Sequence, residues 1–222
     1  MATYRITVIP GDGIGHEVMA EALKVLKAVE GGLSGPRFSF QEFPAGAKCC
    51  QETGTDLPDA TLDACKAADA ILFGAAGLPA VRLPDGTEIR PQIKLRKVLD
   101  LYAGVRPIKR YAGIPPVLAG DPPIDYVIMR ENTEGLFASE AGGARVGDYV
   151  AVDNLVLTRP GTERIVRWAF RLAQQRRGAP SDGAHRVTCV DKANIFQSMA
   201  FFRQIFYEVA RDFPGIQAEH AY

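Results

Sequence analysis

Three glycines at alternate positions, Gly11, Gly13 and Gly15, separate an apolar run, "YRITVIP", from a stretch in which Val18, Ala22, Val25, Leu26 and Val29 recur at helical spacing. A strand that enters a glycine turn and leaves it as an amphipathic helix opens an α/β domain with a largely parallel sheet. Nature also uses this arrangement to cradle phosphates. That fingerprint is G-x-G-x-x-G, whose last glycine lets the helix pack close behind a pyrophosphate. Here the spacing is G-x-G-x-G, and His16 stands where the last glycine belongs. Spacing alone therefore favours a structural strand-to-helix turn over a nucleotide site.

The alternation continues. "RFSFQEF" reads as a second strand, "PDATLDACKAA" as a helix opened by Pro58, "DAILFGA" as a buried-type strand and "LRKVLDLY" as a short helix. Near Asp100 the texture changes. "VRPIKRYAGIPPVLAG" is rich in proline and glycine, and the residues from Tyr126 to Thr158 look like strands joined by glycine turns, which predicts antiparallel arms. Gly161 to Arg177 reads as a helix whose basic face, Arg164, Arg167, Arg171, Arg176 and Arg177, is expected to be solvated. "HRVTCVDKANIF" is a strand running into a turn, and "QSMAFFRQIFYEVARDF" is a helix with wide apolar coverage. The expected boundary divides a first α/β domain, residues 1–99, from a second, residues 100–222.

Charge excludes some partners. Lysine plus arginine and aspartate plus glutamate both number 26, so no net field draws the chain to nucleic acid or to an anionic membrane. No apolar run reaches the length of a membrane span, and "MATYRITVIPGDG" has none of the regions of a secretory signal. Cys49, Cys50, Cys65 and Cys189 contain no C-x-x-C pair, so neither a zinc cage nor a disulfide framework is indicated. Small-molecule chemistry in the cytoplasm is the expectation.

Three sets of residues carry candidate chemistry. Arg96, Arg106 and Arg130 lie near strand ends and turns, where a guanidinium can fork onto a carboxylate. Converging, they make a pocket for a di- or tricarboxylic acid; apart, they are separate surface salt bridges, and spacing leaves both open. Lys192, flanked by Asp191 and Asn194 in "VDKAN", is a general base if its surroundings favour the neutral amine, and otherwise a solvated lysine. "RENTEG" is a charged loop in which Asn132 or Thr133 serves as a cap.

In this order, "PGDGIGHEV", "GAAGLP", "LRKVLDLYAGVRPIK", "MRENTEGLFAS", "VDKAN" and "PGIQAEHAY" resemble the isocitrate and isopropylmalate dehydrogenase family, metal-dependent β-decarboxylating dehydrogenases of 2-hydroxy acids. The resemblance implies a two-domain α/β fold that is not a true Rossmann fold. It also implies an oxidative decarboxylation that uses NAD or NADP and Mg²⁺ or Mn²⁺, in a homodimer whose second domain carries a dimerisation arm. On the family pattern Arg96, Arg106 and Arg130 bind the substrate's carboxylates. Lys192 assists removal of the hydroxyl proton with Asp191 beside it, Asn194 lies near the nicotinamide, and the loop of Gly74 and Gly77 flanks the cofactor.

Three departures from the pattern are visible. Phe137 replaces a tyrosine that protonates the enolate, and a phenyl ring has no proton to give; water or a side chain such as Tyr149 would have to take over. Gln92, Ile93 and Lys94 replace the paired leucines that fit an isopropyl group, so isocitrate, D-malate and tartrate stand beside 3-isopropylmalate as substrates. Finally, the family's metal-ligand aspartates follow "EHAY". No metal ligand is therefore expected within residues 1–222, the C-terminal part of the fold is expected to be missing, and a non-catalytic acid-binding chain is the alternative function. A dinucleotide-binding domain unrelated to this family rests on the glycine turn alone.

Overall fold

In the computed structural model, which describes residues 2–32, 36–139 and 142–222, the glycine turn joins β1 (Thr3–Gly11) to α1 (Ile14–Gly32). The chain forms two compact units, Met1–Leu99 and Asp100–Tyr222. In the first, β1 lies between β2 (Arg37–Glu42) and β3 (Ala70–Ala75) and pairs with both in parallel. Its central place explains why Val8 and Ile9 are buried on opposite faces. Around the sheet run α2 (Ala47–Thr53), α3 (Asp59–Ala67) and α4 (Pro91–Val98). Ile9, Ala45, Leu57, Cys65 and Leu95 form this unit's core.

Two expectations for this unit are corrected. The strand read as buried, β3, is only half-buried, because β1 is its sole strand partner among the described residues. The periodic valines of α1, Val18, Val25 and Val29, are exposed. The helix buries Gly15 and Met19 instead, so its contact with the rest of the unit is made through its first turns. The segment that forms α2 carried no helix expectation, and it is a single short run ended by Gly54 in the left-handed conformation.

Among its described residues the second unit holds three strand pairs. β4 (Ala103–Lys109) and β5 (Asp125–Glu131) are antiparallel, as are β6 (Ala144–Val146) and β7 (Val150–Val152), in keeping with the arms predicted from the glycine turns. β8 (Arg186–Val190) pairs in parallel with β9 (Gln217–Ala221), a strand the sequence did not announce. A 3-10 turn, Leu136–Ser139, follows β5.

α5 (Arg159–Gln175) begins earlier and ends earlier than expected, because Thr158 caps it by accepting from the Gly161 N–H at 3.1 Å. Gly161, Thr162, Ile165, Val166 and Phe170 form its buried stripe at helical spacing. That stripe packs on Ile205, Phe206 and Val209 of α6 (Gln197–Ala210). Phe170 is fully buried, with its ring centroid 5.4 Å from Phe206 and 5.1 Å from Phe213. Burial of a phenylalanine of this kind contributes about 2–3 kcal/mol.

The arginine face of α5 is solvated only in part: Arg171 and Arg177 are exposed, whereas Arg164, Arg167 and Arg176 are half-buried and paired. Arg164 pairs with Asp100 and Glu131, Arg167 with Asp212, and Arg176 with Asp125. Helical spacing shows which side chains share a face, but acids brought up from elsewhere in the unit decide whether that face meets water.

Candidate functional site

The glycine turn is organised around Asp12, which the sequence reading passed over. Its buried carboxylate accepts hydrogen bonds from the backbone N–H groups of Ala47 at 2.6 Å, Lys48 at 2.9 Å and Gly77 at 2.7 Å. Burial works against the charged form, but the Lys48, Ala47 and Gly77 amides and the nearby His16 outweigh it and hold the carboxyl below its ordinary range. The glycines make room for this contact. A Cβ on Gly11, which has φ +80°, would lie 1.9 Å from the Ala75 carbonyl oxygen, and one on Gly74 would lie 2.3 Å from the Pro10 oxygen. Gly74 and Gly77 thus both take part in holding the β1 turn against the end of β3: Gly74 by close approach, Gly77 by its N–H. An acid set between two glycines in a strand-to-helix turn was the available signal.

Arg106 and Arg130 come together. In the β4–β5 ladder Arg106 lies opposite Ile128 and Arg130 opposite Gly104, so the two arginines occupy diagonal positions on one face. That face is the exposed one, since β5 alternates with Val127 and Met129 turned inward. Among the described residues neither guanidinium has an acid partner. Two adjacent cations without counter-charge, presented to solvent on a rigid ladder, are suited to a carboxylate. Arg96 lies on α4 of the first unit, half-buried, and it too makes no ion pair among the described residues.

The acids beside Arg130 are engaged elsewhere. Glu131 accepts from the N–H groups of Thr133 at 2.7 Å and Glu134, and Arg164 reaches it at 3.3 Å. Arg164 also donates to the Thr133 hydroxyl and lies 4.1 Å from the Tyr102 ring centroid. Glu134 accepts from the backbone N–H and the hydroxyl of Thr158 at the start of α5, where a negative charge complements the helix dipole. Gly161 admits it, because a Cβ there would stand 2.2 Å from Glu134 Oε1. Neither Asn132 nor Thr133 is the cap of "RENTEG"; the Glu131 carboxylate fills that role. Asn132 is buried, with its Oδ1 unpartnered.

Phe137 follows in the 3-10 turn, and the Arg130 guanidinium stands 5.2 Å from its ring centroid. Tyr149, weighed as a substitute for the absent phenol, lies in the turn between β6 and β7 and is 96% exposed.

At the end of β8 the chain turns through Asp191, Lys192 and Asn194. Asp191 faces inward. Its side chain is completely buried and accepts from Arg203 Nη2 at 2.5 Å, Arg203 Nε at 2.9 Å, the Ala193 N–H at 2.8 Å and the Cys189 thiol at 3.2 Å. Burial alone raises this carboxyl, but Arg203, the Ala193 amide and the thiol overcome it and hold the group at about 2. A carboxylate so enclosed shapes the turn that presents Lys192. Lys192 and Asn194 are both exposed, and Lys192 Nζ lies 5.8 Å from the ring centroid of Tyr222. Arg203 stacks on the same ring at 4.7 Å. The signal for Arg203 was a lone arginine among Phe201, Phe202, Ile205 and Phe206, a setting that calls for a buried acid.

A cleft of about 830 Å³ opens between β5 and β8. Ile165, Val166, Ala169 and Phe206 give it an apolar floor, and Glu131 and Glu219 stand among its acids. Arg130, Arg176 and Arg186 line it as well as Asp125, Glu131 and Glu219, so its charges balance, and Arg130 belongs both to this cleft and to the arginine face, the candidate acid site. Among the described residues, no group of three or more His, Cys, Asp or Glu side chains is placed to hold a metal ion, and none of the helices is long and apolar enough to cross a membrane.

Comparison with known proteins bears on this arrangement. The family model of isocitrate/isopropylmalate dehydrogenase matches residues 5–222. The 3-isopropylmalate dehydrogenase of Geobacillus kaustophilus is 40% identical over 233 residues, covering 99% of this chain and 59% of that protein. The 3-isopropylmalate/3-methylmalate dehydrogenase of Methanocaldococcus jannaschii is 39% identical over 220 residues, covering 99% and 60%. The crystal structure of isocitrate dehydrogenase from Methylococcus capsulatus superposes with a TM-score of 0.80 at 34% identity, covering 98% of this chain and 60% of that one. The chain thus spans about 60% of the length of these relatives. A match over nearly every residue sets aside the reading of an unrelated dinucleotide-binding domain: this chain belongs to the isocitrate/isopropylmalate dehydrogenase family.

Proposed function

We propose that the protein belongs to a cytoplasmic, homodimeric dehydrogenase that oxidatively decarboxylates a 2-hydroxy di- or tricarboxylic acid with NAD or NADP and Mg²⁺ or Mn²⁺. The observation that carries this reading is the Arg106–Arg130 pair, diagonal on one exposed strand face and without acid partners among the described residues. These two guanidinium groups bind and orient a carboxylate, and Arg96 is a further carboxylate ligand on the family pattern. Lys192 takes the hydroxyl proton of the acid, held in place by the turn that Asp191 and Arg203 fix. Asn194, exposed and with no hydrogen-bond partner among the described residues, is a free amide suited to a nicotinamide carboxamide, with the Gly74 and Gly77 loop as the cofactor's other neighbour. When bound, the nicotinamide accepts the hydride from C2. The divalent cation has no ligand set among the described residues, and no step is assigned to it.

The buried, unpartnered Gln92 Oε1 favours a polar substituent on the acid. Tartrate, with a hydroxyl in place of the isopropyl group, meets that preference, and D-malate, with hydrogen there, at least brings no apolar group to it. A second reading, an acid-binding chain without turnover, is favoured by Phe137, which lacks the phenol of the family pattern. The two separate in one assay. Protein made from the complete gene is given Mn²⁺, NAD or NADP and, in turn, 3-isopropylmalate, isocitrate, D-malate and tartrate, and cofactor reduction is followed. Turnover of any one supports the dehydrogenase; calorimetric binding without turnover supports the second reading; neither binding nor turnover overturns both.

A further inference from the structure

We propose that Phe137 is the positioning residue of Arg130: its ring orients the guanidinium without neutralising it, leaving the full positive charge for a carboxylate. The inference rests on the acid-binding reading above and assigns that site its support.

Arg130 sits between acids that would ordinarily quench it. Glu131 follows it directly and Glu134 is four residues on, yet Arg164 and the turn amides hold the first, and Thr158 at the start of α5 holds the second. What remains to Arg130 among the described residues is the face of Phe137, 5.2 Å from the guanidinium carbon. An aromatic face attracts a cation through its quadrupole and carries no net charge, so it fixes direction and leaves the field intact. A carboxylate in the same place would fix direction and cancel the field.

The turn that carries the ring is fastened at both ends. The Gly135 N–H donates to the Val156 oxygen at 2.7 Å, and the Val156 N–H returns to the Gly135 oxygen at 3.2 Å. Ser139 Oγ donates to the Asn154 oxygen at 2.9 Å and accepts from its N–H at the same distance. A ring on a tied backbone is a fixed rail, whereas an arginine on an exposed strand face otherwise samples many rotamers. With Arg106 on the neighbouring diagonal, a guanidinium drawn to the face of Phe137 keeps its N–H edge in fewer orientations, ready for a bidentate contact. The loss of the phenolic oxygen leaves this function unchanged, because the face of the ring supplies it.

The test uses protein made from the complete gene, with D-malate, tartrate, isocitrate and 3-isopropylmalate in turn as probes, by calorimetry, beside Phe137→Leu, Phe137→Tyr and Phe137→Trp. Phe137→Leu is expected to weaken binding roughly two- to fivefold, and the two aromatic variants to retain it. Thermal midpoints of all four are expected to coincide, which a purely structural role would not give. Independently of any ligand, the ring current of Phe137 is expected to shift the Arg130 Nε–H proton resonance, and Phe137→Leu to abolish that shift. Unchanged affinity in Phe137→Leu, or the absence of a ring-current shift in the parent protein, overturns the role of Phe137 and leaves the acid site standing. Failure of the parent protein to bind any of D-malate, tartrate, isocitrate and 3-isopropylmalate, or binding that Arg130→Gln leaves unchanged, overturns the acid site and this inference with it.

Discussion

Arg203 closes on Asp191 through two nitrogens, at 2.5 and 2.9 Å, and the carboxylate it holds is completely buried beneath the turn that carries Lys192. The ion pair joins α6 to the end of β8, so the presentation of an exposed lysine depends on a contact hidden behind it. Asp191→Asn keeps the shape and removes the charge. It is expected to destabilise the protein by about 1.5–3 kcal/mol, the usual worth of a hydrogen bond to a charged group, measured by urea denaturation.

The same pair sets an acid limit. Asp191 lies at about 2 in the folded protein against an ordinary value of 3.8, so the folded state favours the ionised form. The stability it contributes is complete above 3.8 and is lost as pH falls from there towards about 2. The thermal midpoint of the parent protein is therefore expected to fall more steeply between pH 4 and pH 2 than that of Asp191→Asn. Parallel curves would refute the assignment.

Arg106 and Arg130 make no ion pair among the described residues, so truncating them removes little stability. Arg106→Gln and Arg130→Gln are each expected to leave the thermal midpoint within about a degree. Each is expected to weaken acid binding roughly ten- to a hundredfold by calorimetry. A large loss of stability with unchanged binding would assign both arginines a structural role.

Gly11 and Gly54 share a φ of +80° but differ in their surroundings. Nothing lies within 4 Å of a Cβ on Gly54, so Gly54→Ala is expected to cost about 1 kcal/mol, the strain of a left-handed alanine. On Gly11 the same Cβ meets the Ala75 carbonyl at 1.9 Å, and the substitution is expected to cost about 3 kcal/mol or more. Equal midpoints in denaturant would show that the turn relaxes.

The thiols differ in access. Cys49, Cys65 and Cys189 are buried and Cys50 is half-exposed. Burial, the hydrogen bond it donates to Asp191 and that carboxylate's charge all push the Cys189 thiol far above its ordinary range. An aromatic disulfide reagent is expected to label Cys50 first in the native protein and Cys189 only on unfolding, as peptide mass spectrometry would show.

Much of this molecule is legible in the chain. Periodicity and turn residues marked α1, α3, α5, α6 and the antiparallel pairs, because local sterics and solvent preference act at fixed spacing and leave their trace in one dimension. The order of the motifs identified the family. The tertiary structure decided what depends on distant partners. It placed Arg106 and Arg130 on one strand face, since register joins residues 24 apart; it turned Asp191 inward to Arg203; it made Asp12 the anchor of the glycine turn; and it gave Arg164, Arg167 and Arg176 acid partners. Side-chain chemistry is written in the sequence, but burial, counter-charge and hydrogen-bond partners arise only when separate segments meet. Those three quantities decide whether an arginine binds a substrate or staples the fold.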